Sequence, residues 1–542
     1  MKKSFLALVI LVTTLKQTCP VRAQGSLTPP GPPGPSMKSL DQIEPRALIS
    51  SVPFTITNSG SFYLITNLSG LAGRSGVIVQ ADDVTLDLNG FTLFGLAGSS
   101  NGIVCPNTQS NLVVRNGTIR NWGGHGLEAA LVNQCRAENL RALVNGGAGI
   151  RAGGNATLER CAAAGNTAAG IQSGAGAAVN GCIASQNGGG GFVVDAAGNV
   201  TDCTALGNQQ DGFRCDSGSR IKGCVARQNS GHGISAAATV LVADCVSQNN
   251  QGRGISAGNA LFARATLVAN NAGIGLLAGP SAQLTDCRTE ANSQNGINVG
   301  SGSALNGCVA SQNLGSGFVV EGAGNLTDCT AQGNQQDGIH CDTGSRVKGC
   351  VVRQNSGRGI FAGANVLVAD CVAQSNQGGG LSAGDGVAVR GSLFANNAGS
   401  GLSAGASAQV IDCKAEANSA TGISVGSGGT VRNCTSQDNG GDGILVVTEC
   451  QITGNNCRNN FSVIFSSGIH ATGTKNHIQD NTLTSNDRGL SLDADGNLVV
   501  RNTWGNNTFN FFGSTNNQIL GPILPTLNDP STSTQPWANF EF

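Results

Sequence analysis

From about residue 158 to residue 448 the sequence repeats every 21 residues. The stretch Val347–Leu367, VKGCVVRQNSGRGIFAGANVL, shows the unit, and Cys350, Asn355, Gly359 and Ile360 each head a column. Asn fills its column in all 14 successive windows, from Asn166 to Asn439, and Gly fills its own from Gly170 to Gly443. Self-similarity at this period means stacked units, each too small to bury a core alone. Twenty-one residues leave no room for strand–helix–strand, and no helical run of ten appears. Three before the Cys column stands an aliphatic residue (Leu158, Val179, Val200), and ten after it another apolar one (Ile171, Phe192, Phe213). Two-residue alternation around these positions marks strands with one face inward. The pattern predicts an all-β chain, a single-stranded parallel β-helix solenoid of 21-residue coils with two or three short strands each. Fourteen coils stacked at ~4.8 Å span roughly 65 Å.

Physical reasons attach to each column. A buried amide repeated on every coil can hydrogen-bond to the copies above and below it. Gly just before the inward aliphatic residue marks a corner that needs either positive φ or close backbone approach. Twelve of the 19 cysteines lie on the lattice, at 161, 182, 203, 224, 245, 287, 308, 329, 350, 371, 413 and 434. Thr266 and Ser392 interrupt them, leaving runs that cannot pair completely. Parallel Cβ vectors ~4.8 Å apart suit a disulfide poorly, so the expectation is a ladder of buried thiols. Cys450 and Cys457 are the one close pair left for a bridge.

Around the repeat, six segments are expected. Residues 1–23 read as a signal peptide: Lys2 and Lys3, an apolar Phe5–Leu15 run, and Val21-Arg22-Ala23 as a small-x-small cleavage site. Residues 24–50 are a Pro/Gly linker and cap, with a short helix near Met37–Arg46. Residues 51–157 hold irregular early coils, 158–448 the regular ones, 449–512 the last coils after a register break, and 513–542 a Pro/Ser/Thr tail with an aromatic terminus. Residues 180–305 resemble 306–431, so the solenoid grew by copying a six-coil block. Only 12% of residues are charged and the net charge is −1, which gives nucleic acid no basic face and anionic lipid no patch. No segment is long and apolar enough to span a bilayer. The chain is expected to be an exported monomer, secreted or held at the cell surface.

Three sets of side chains are candidates for chemistry. Asp202, Asp244, Asp286, Asp328, Asp370 and Asp412 stand just before alternate lattice cysteines and must face outward. Such a stripe could hold Ca²⁺ or meet a polymer, or its alternation could keep like charges two coils apart. Otherwise no metal or cofactor is expected. Eight residues after the Cys column, Asp211, His232 and Arg253 occupy consecutive coils with Arg214 nearby; the copied block offers Asp337, Arg358 and His340. An acid, an imidazole and a guanidinium within ~10 Å suit a uronic-acid polymer, Arg for its carboxylate and Asp or His as base. The register break adds Arg458, His470 and His477.

The columns resemble those of the pectate-lyase-like superfamily of right-handed parallel β-helices, and the likeness covers most of the mature chain. The resemblance implies a right-handed coil and a choice among polysaccharide lyases, polygalacturonases, epimerases and adhesin-like surface proteins. Gly231-His232-Gly233 and Arg220-Ile221-Lys222 are similar to polygalacturonase strings, but they stand in the wrong order and change in the copied block. That family's Asn-Thr-Asp and paired-Asp motifs, the mannuronan-epimerase Asp-Pro-His-Asp motif and Gly-rich calcium nonapeptides are not found. The terminal phrases resemble those of exported bacterial β-helix proteins. With no long loops to wall in a substrate, the expectation is a structural or carbohydrate-binding protein with a polysaccharide or envelope glycan as partner. A polysaccharide lyase or glycoside hydrolase acting on an acidic polysaccharide is the alternative.

Overall fold

A computed structural model describes residues 45–461, 465–513, 518–525 and 534–542. The expected signal peptide, and nearly all of the linker and the cap helix, lie outside these residues. Ala47–Phe542 form one compact unit, a right-handed parallel β-solenoid of about 22 turns with no helix among the described residues. Each regular coil holds three short strands, as in Phe192–Val194, Asn199–Thr201 and Thr204–Leu206. The first strands of successive coils build one sheet and the second and third strands build another, all in parallel register. Phe192 pairs with Phe213 at the 21-residue offset, and their rings stack with centroids 4.8 Å apart. Inward Ile, Val, Leu and Ala fill the tube, with Trp122 buried among the early coils and Trp504 among the last.

The Asn column forms a continuous ladder. Asn334 Nδ2 and its backbone N–H both donate to Asn355 Oδ1 at 3.0 Å, and Asn355 Nδ2 donates in turn to Asn376 Oδ1 at 3.0 Å and to the Ala331 carbonyl at 3.2 Å. The ladder begins at Asn145, one coil before the regular period. Both the amide side chain and the bent backbone beside it are thereby satisfied inside the tube. For the Gly column, close approach is the reason. At Gly191 a Cβ would lie 2.6 Å from the Gly212 carbonyl and 2.8 Å from Asn208 Nδ2.

All 18 described cysteines are free and buried. Cys182 Sγ donates to the carbonyl two residues back at 3.4 Å, and Thr266 and Ser392 make the same bond through their hydroxyls at 2.9 Å. The slot takes a small side chain that can donate, which explains both the thiols and their substitutes. Burial pushes the Cys135 thiol up to about 12, well into its neutral form. The bridge left open between Cys450 and Cys457 does not form. Cys450, between strands, donates across coils to the Gly426 carbonyl at 3.3 Å, while Cys457 packs in the core from the strand Asn456–Arg458.

The Asp stripe is exposed and sits in left-handed backbone, with φ of 52° at Asp202 and 55° at Asp244. Its alternating partner Gly223 has φ 64°. Asp and Gly both tolerate this corner. The Asp202 carboxylate also fills the space a Cβ at Gly223 would need, so the alternation has a steric cause besides charge repulsion.

After Cys434 the lattice changes rather than ends. The strand pair Ile444–Val446 and Ser467–Ala471 runs at a 25-residue offset, and the Asn rungs step 26 residues from Asn460 to Asn486. The Cys column continues as a second amide ladder, Asn455–Asn481–Asn502, with side-chain bonds of 2.9 Å. Its last rung is Asn539, 3.1 Å from Asn502 and supplied by the returning terminus. Asn539–Glu541 pairs with both Thr503–Trp504 and Ile523–Pro525. A third ladder runs from Cys450 N–H through Asn476 and Asn497 to Gln518.

Candidate functional site

In the regular coils, Asp211, His232 and Arg253 are adjacent, and the first two each serve the backbone of the next coil. Asp211 Oδ1 accepts the His232 N–H at 2.7 Å, and His232 Nδ1 accepts the Arg253 N–H at 2.9 Å. That bond leaves the proton of a neutral His232 on Nε2. Arg253 reaches Ser256 Oγ at 3.2 Å, and Arg214 is exposed beside them. In the copied block Asp337 takes the Arg358 N–H at 2.8 Å and two guanidinium bonds at 3.3 and 3.0 Å. Arg358 lies 4.0 Å over the Phe361 ring, whose edge meets His340, and His340 Nε2 is 3.6 Å from Asp342. The early coils repeat the device, since His125 N–H donates to Asn101 and His125 Nδ1 accepts from Ala148 N–H. The Asp, Asn and His members of the column are amide caps at a corner.

At the register break the same columns meet differently. Asp442 stands eight residues after Cys434, in the column of Asp211 and Asp337. His470 pairs with Leu445 and so stands in the outward column of Arg214 and His340. His470 Nδ1 lies 2.9 Å from Asp442 Oδ2, and Nε2 lies 2.9 Å from Asp493 Oδ2, in the coil above. Asp442 is held in turn by the Ser467 N–H, 2.7 Å from Oδ1. The Asp442 hydrogen bond raises the His470 pKa; partial burial opposes the shift and Asp493 adds to it. The imidazole is therefore clamped between two carboxylates, on coils to either side of it, that favour its protonated form.

Aromatic and unpartnered polar groups surround this clamp. The Arg488 guanidinium carbon lies 3.5 Å from the centroid of Phe512 and 4.9 Å from that of Phe465, and both rings keep an exposed face. Ser491, directly above His470 in register and directly below Phe512, points outward yet is fully buried. Its hydroxyl, the Ser467 hydroxyl and Arg488 Nε have no hydrogen-bond partner among the described residues. Asp493 is half-exposed, at 50% of its side chain. Of the other residues singled out in the sequence here, Arg458 hydrogen-bonds Gln437 and His477 lies in a second-strand position, so both belong to the other sheet. Among the described residues no group of three or more His, Cys, Asp or Glu side chains is placed to hold a metal ion.

A family model described as "right handed beta helix region" matches residues 54–201, 199–356, 316–461 and 360–509. No curated protein matches the chain. Among solved structures, the periplasmic alginate epimerase AlgG is 11% identical over 60% of this chain and 78% of that one, with a TM-score of 0.32. The Azotobacter vinelandii mannuronan C-5 epimerase AlgE4 A-module is 12% identical over 85% and 90%, with a TM-score of 0.16. The Dettilon tailspike protein (gp208) is 11% identical over 58% and 61%, with a TM-score of 0.24. These are likenesses of fold.

Proposed function

The chain belongs to the family of right-handed β-helix proteins, and from that premise we propose a carbohydrate-binding protein whose glycan site lies at the break in its coil lattice. The carrying observation is the convergence there of Asp442, His470, Asp493 and Arg488 with the open faces of Phe465 and Phe512. Sugars present apolar C–H faces to aromatic rings and hydroxyls to carboxylates, so this mixture of partners fits a glycan. The half-exposed Asp493 accepts hydroxyl protons, and the Phe512 ring supplies the platform. Residues 1–23 support export, which places the ligand among envelope or extracellular polysaccharides. Calorimetric titration of the full chain with alginate, polygalacturonate and neutral glucan oligosaccharides tests the reading. Saturable heat that disappears in Asp493→Ala supports it, and equal heat in that variant contradicts it.

A second reading rests on the clamp itself. Two carboxylates flanking one imidazole are the parts of an acid–base site, and a polysaccharide lyase or hydrolase would use them on an acidic polymer. Release of reducing or unsaturated ends that stops in Asp442→Asn would favour turnover over binding.

A further inference from the structure

On the sheet away from the His470 clamp, the last coils and the returning terminus enclose a cleft of about 730 Å³. We propose that this cleft is a second binding site, for an amphipathic small molecule with a flat apolar body and one hydrogen-bond-accepting head. The site goes beyond the glycan reading and uses none of its residues.

The walls define the ligand. Leu498, Ile519 and Leu520 form an apolar floor, and Trp537 stands as one wall with 55% of its surface exposed. Ile519 is 67% exposed, the most open large apolar side chain among the described residues. The Trp wall is braced before any ligand arrives. Arg501 lies 5.4 Å from the indole ring and is fixed by two bonds to Asp480, at 2.8 and 2.9 Å. Behind the indole, Asn539 locks the terminal segment into the second amide ladder. Preformed, mostly apolar concavities of this size are the usual form of small-molecule sites.

The polar requirement comes from His477, whose imidazole faces the cleft and has no partner among the described residues. An imidazole always has at least one N–H to give, so a carbonyl or carboxylate head satisfies it. An oligosaccharide is disfavoured, because most of its hydroxyls would lie against apolar walls whose polar side chains among the described residues are His477, Gln479 and Arg501 alone. An aromatic carboxylate matches both ends, its ring stacked on Trp537 and its head on His477.

The test uses 2-naphthoate on the full chain. Trp122 and Trp504 are buried, so Trp537 is the exposed indole that a ligand in the cleft would quench. Saturable quenching is expected, absent in Ile519→Asp, whose exposed position leaves the fold intact as checked by circular dichroism. His477→Phe should weaken 2-naphthoate by about tenfold, the loss of one hydrogen bond, while leaving binding of naphthalene unchanged. Quenching that persists in Ile519→Asp, or glucan oligosaccharides that displace 2-naphthoate, would overturn the assignment. Equal affinity in His477→Phe would overturn the role of the head group. Failure here leaves the His470 site untouched, because Asp493→Ala and the glycan titration read that site alone.

Discussion

The regular coils and the coils after Cys434 solve one problem in two ways. In the regular body, a single Asn ladder and a thiol column line the tube, and outward side chains are spent on corner amides. After the break three amide ladders run in parallel, the thiol column gives way to Asn, and the final rung comes from a segment 37 residues further along. The extra residues between Asn460 and Asn486 are absorbed without loss of strand register, since Leu445 still pairs with His470 and His470 with Ser491. A corner carboxylate, Asp442, faces an outward imidazole, His470, whereas His340 in the same column of a regular coil meets the Phe361 ring and lies 3.6 Å from Asp342. Uniform spacing makes a rod. One change of spacing, secured by added amides, accompanies the clamp on which the proposed site rests.

The contrast can be broken at its strongest point first. Asn355→Ala in the regular body orphans the Asn334 amide, the Ala331 carbonyl and a lone pair on Asn376 together. At roughly 1–3 kcal/mol per orphaned buried group, about 3 kcal/mol or more should be lost, read as a lower urea midpoint. A loss below about 1 kcal/mol would mean that the ladder is not what holds the rod. Asn502→Ala should act locally, freeing Asn539 and with it the terminal strand. The expected signature is a red-shifted Trp537 emission at a nearly unchanged main transition.

Smaller effects sharpen the picture. Cys329→Ser keeps a donor in the slot, as Ser392 does naturally, and should cost under about 1.5 kcal/mol, the range for near-isosteric exchange. Cys329→Leu should cost about 1–3 kcal/mol through overpacking. The smallest effect is that of pH. Folding raises the His470 pKa above its ordinary 6.5. The stability it contributes is therefore full below 6.5 and is lost as pH rises through the folded value. His470→Gln should remove that dependence on the alkaline side, as measured by urea midpoints across pH.

Much of this was legible in the sequence where repetition supplied the signal. Fourteen copies of Asn and Gly announce a ladder and a close approach, and the 21-residue spacing with no helical run of ten speaks against a helix in the coil. The second ladder was hidden because Asn455, Asn481, Asn502 and Asn539 are 26, 21 and 37 residues apart, which no fixed period reveals. His470 drew notice as part of an irregular stretch, and the columns that build its clamp were already marked at Asp211 and Arg214. That Asp442 and Asp493 would close on it depended on which residues the 25-residue step brings into register above and below it, which the 21-residue period does not predict. The exchange of Asp and Gly before the cysteines reads from sequence as charge spacing or as a stripe for Ca²⁺ or a polymer, and the left-handed corner with the carboxylate lying over Gly223 adds a steric cause.

The most direct test sets the two regions against each other in one titration. Glycan oligosaccharides are added to the full chain, to Asp493→Ala/Phe512→Ala at the break, and to Arg214→Ala/Arg253→Ala in the regular coils. Binding that vanishes in the first variant and survives in the second is the predicted result. Binding that survives at the break and is lost with Arg214 and Arg253 would contradict it and move the site to the regular body.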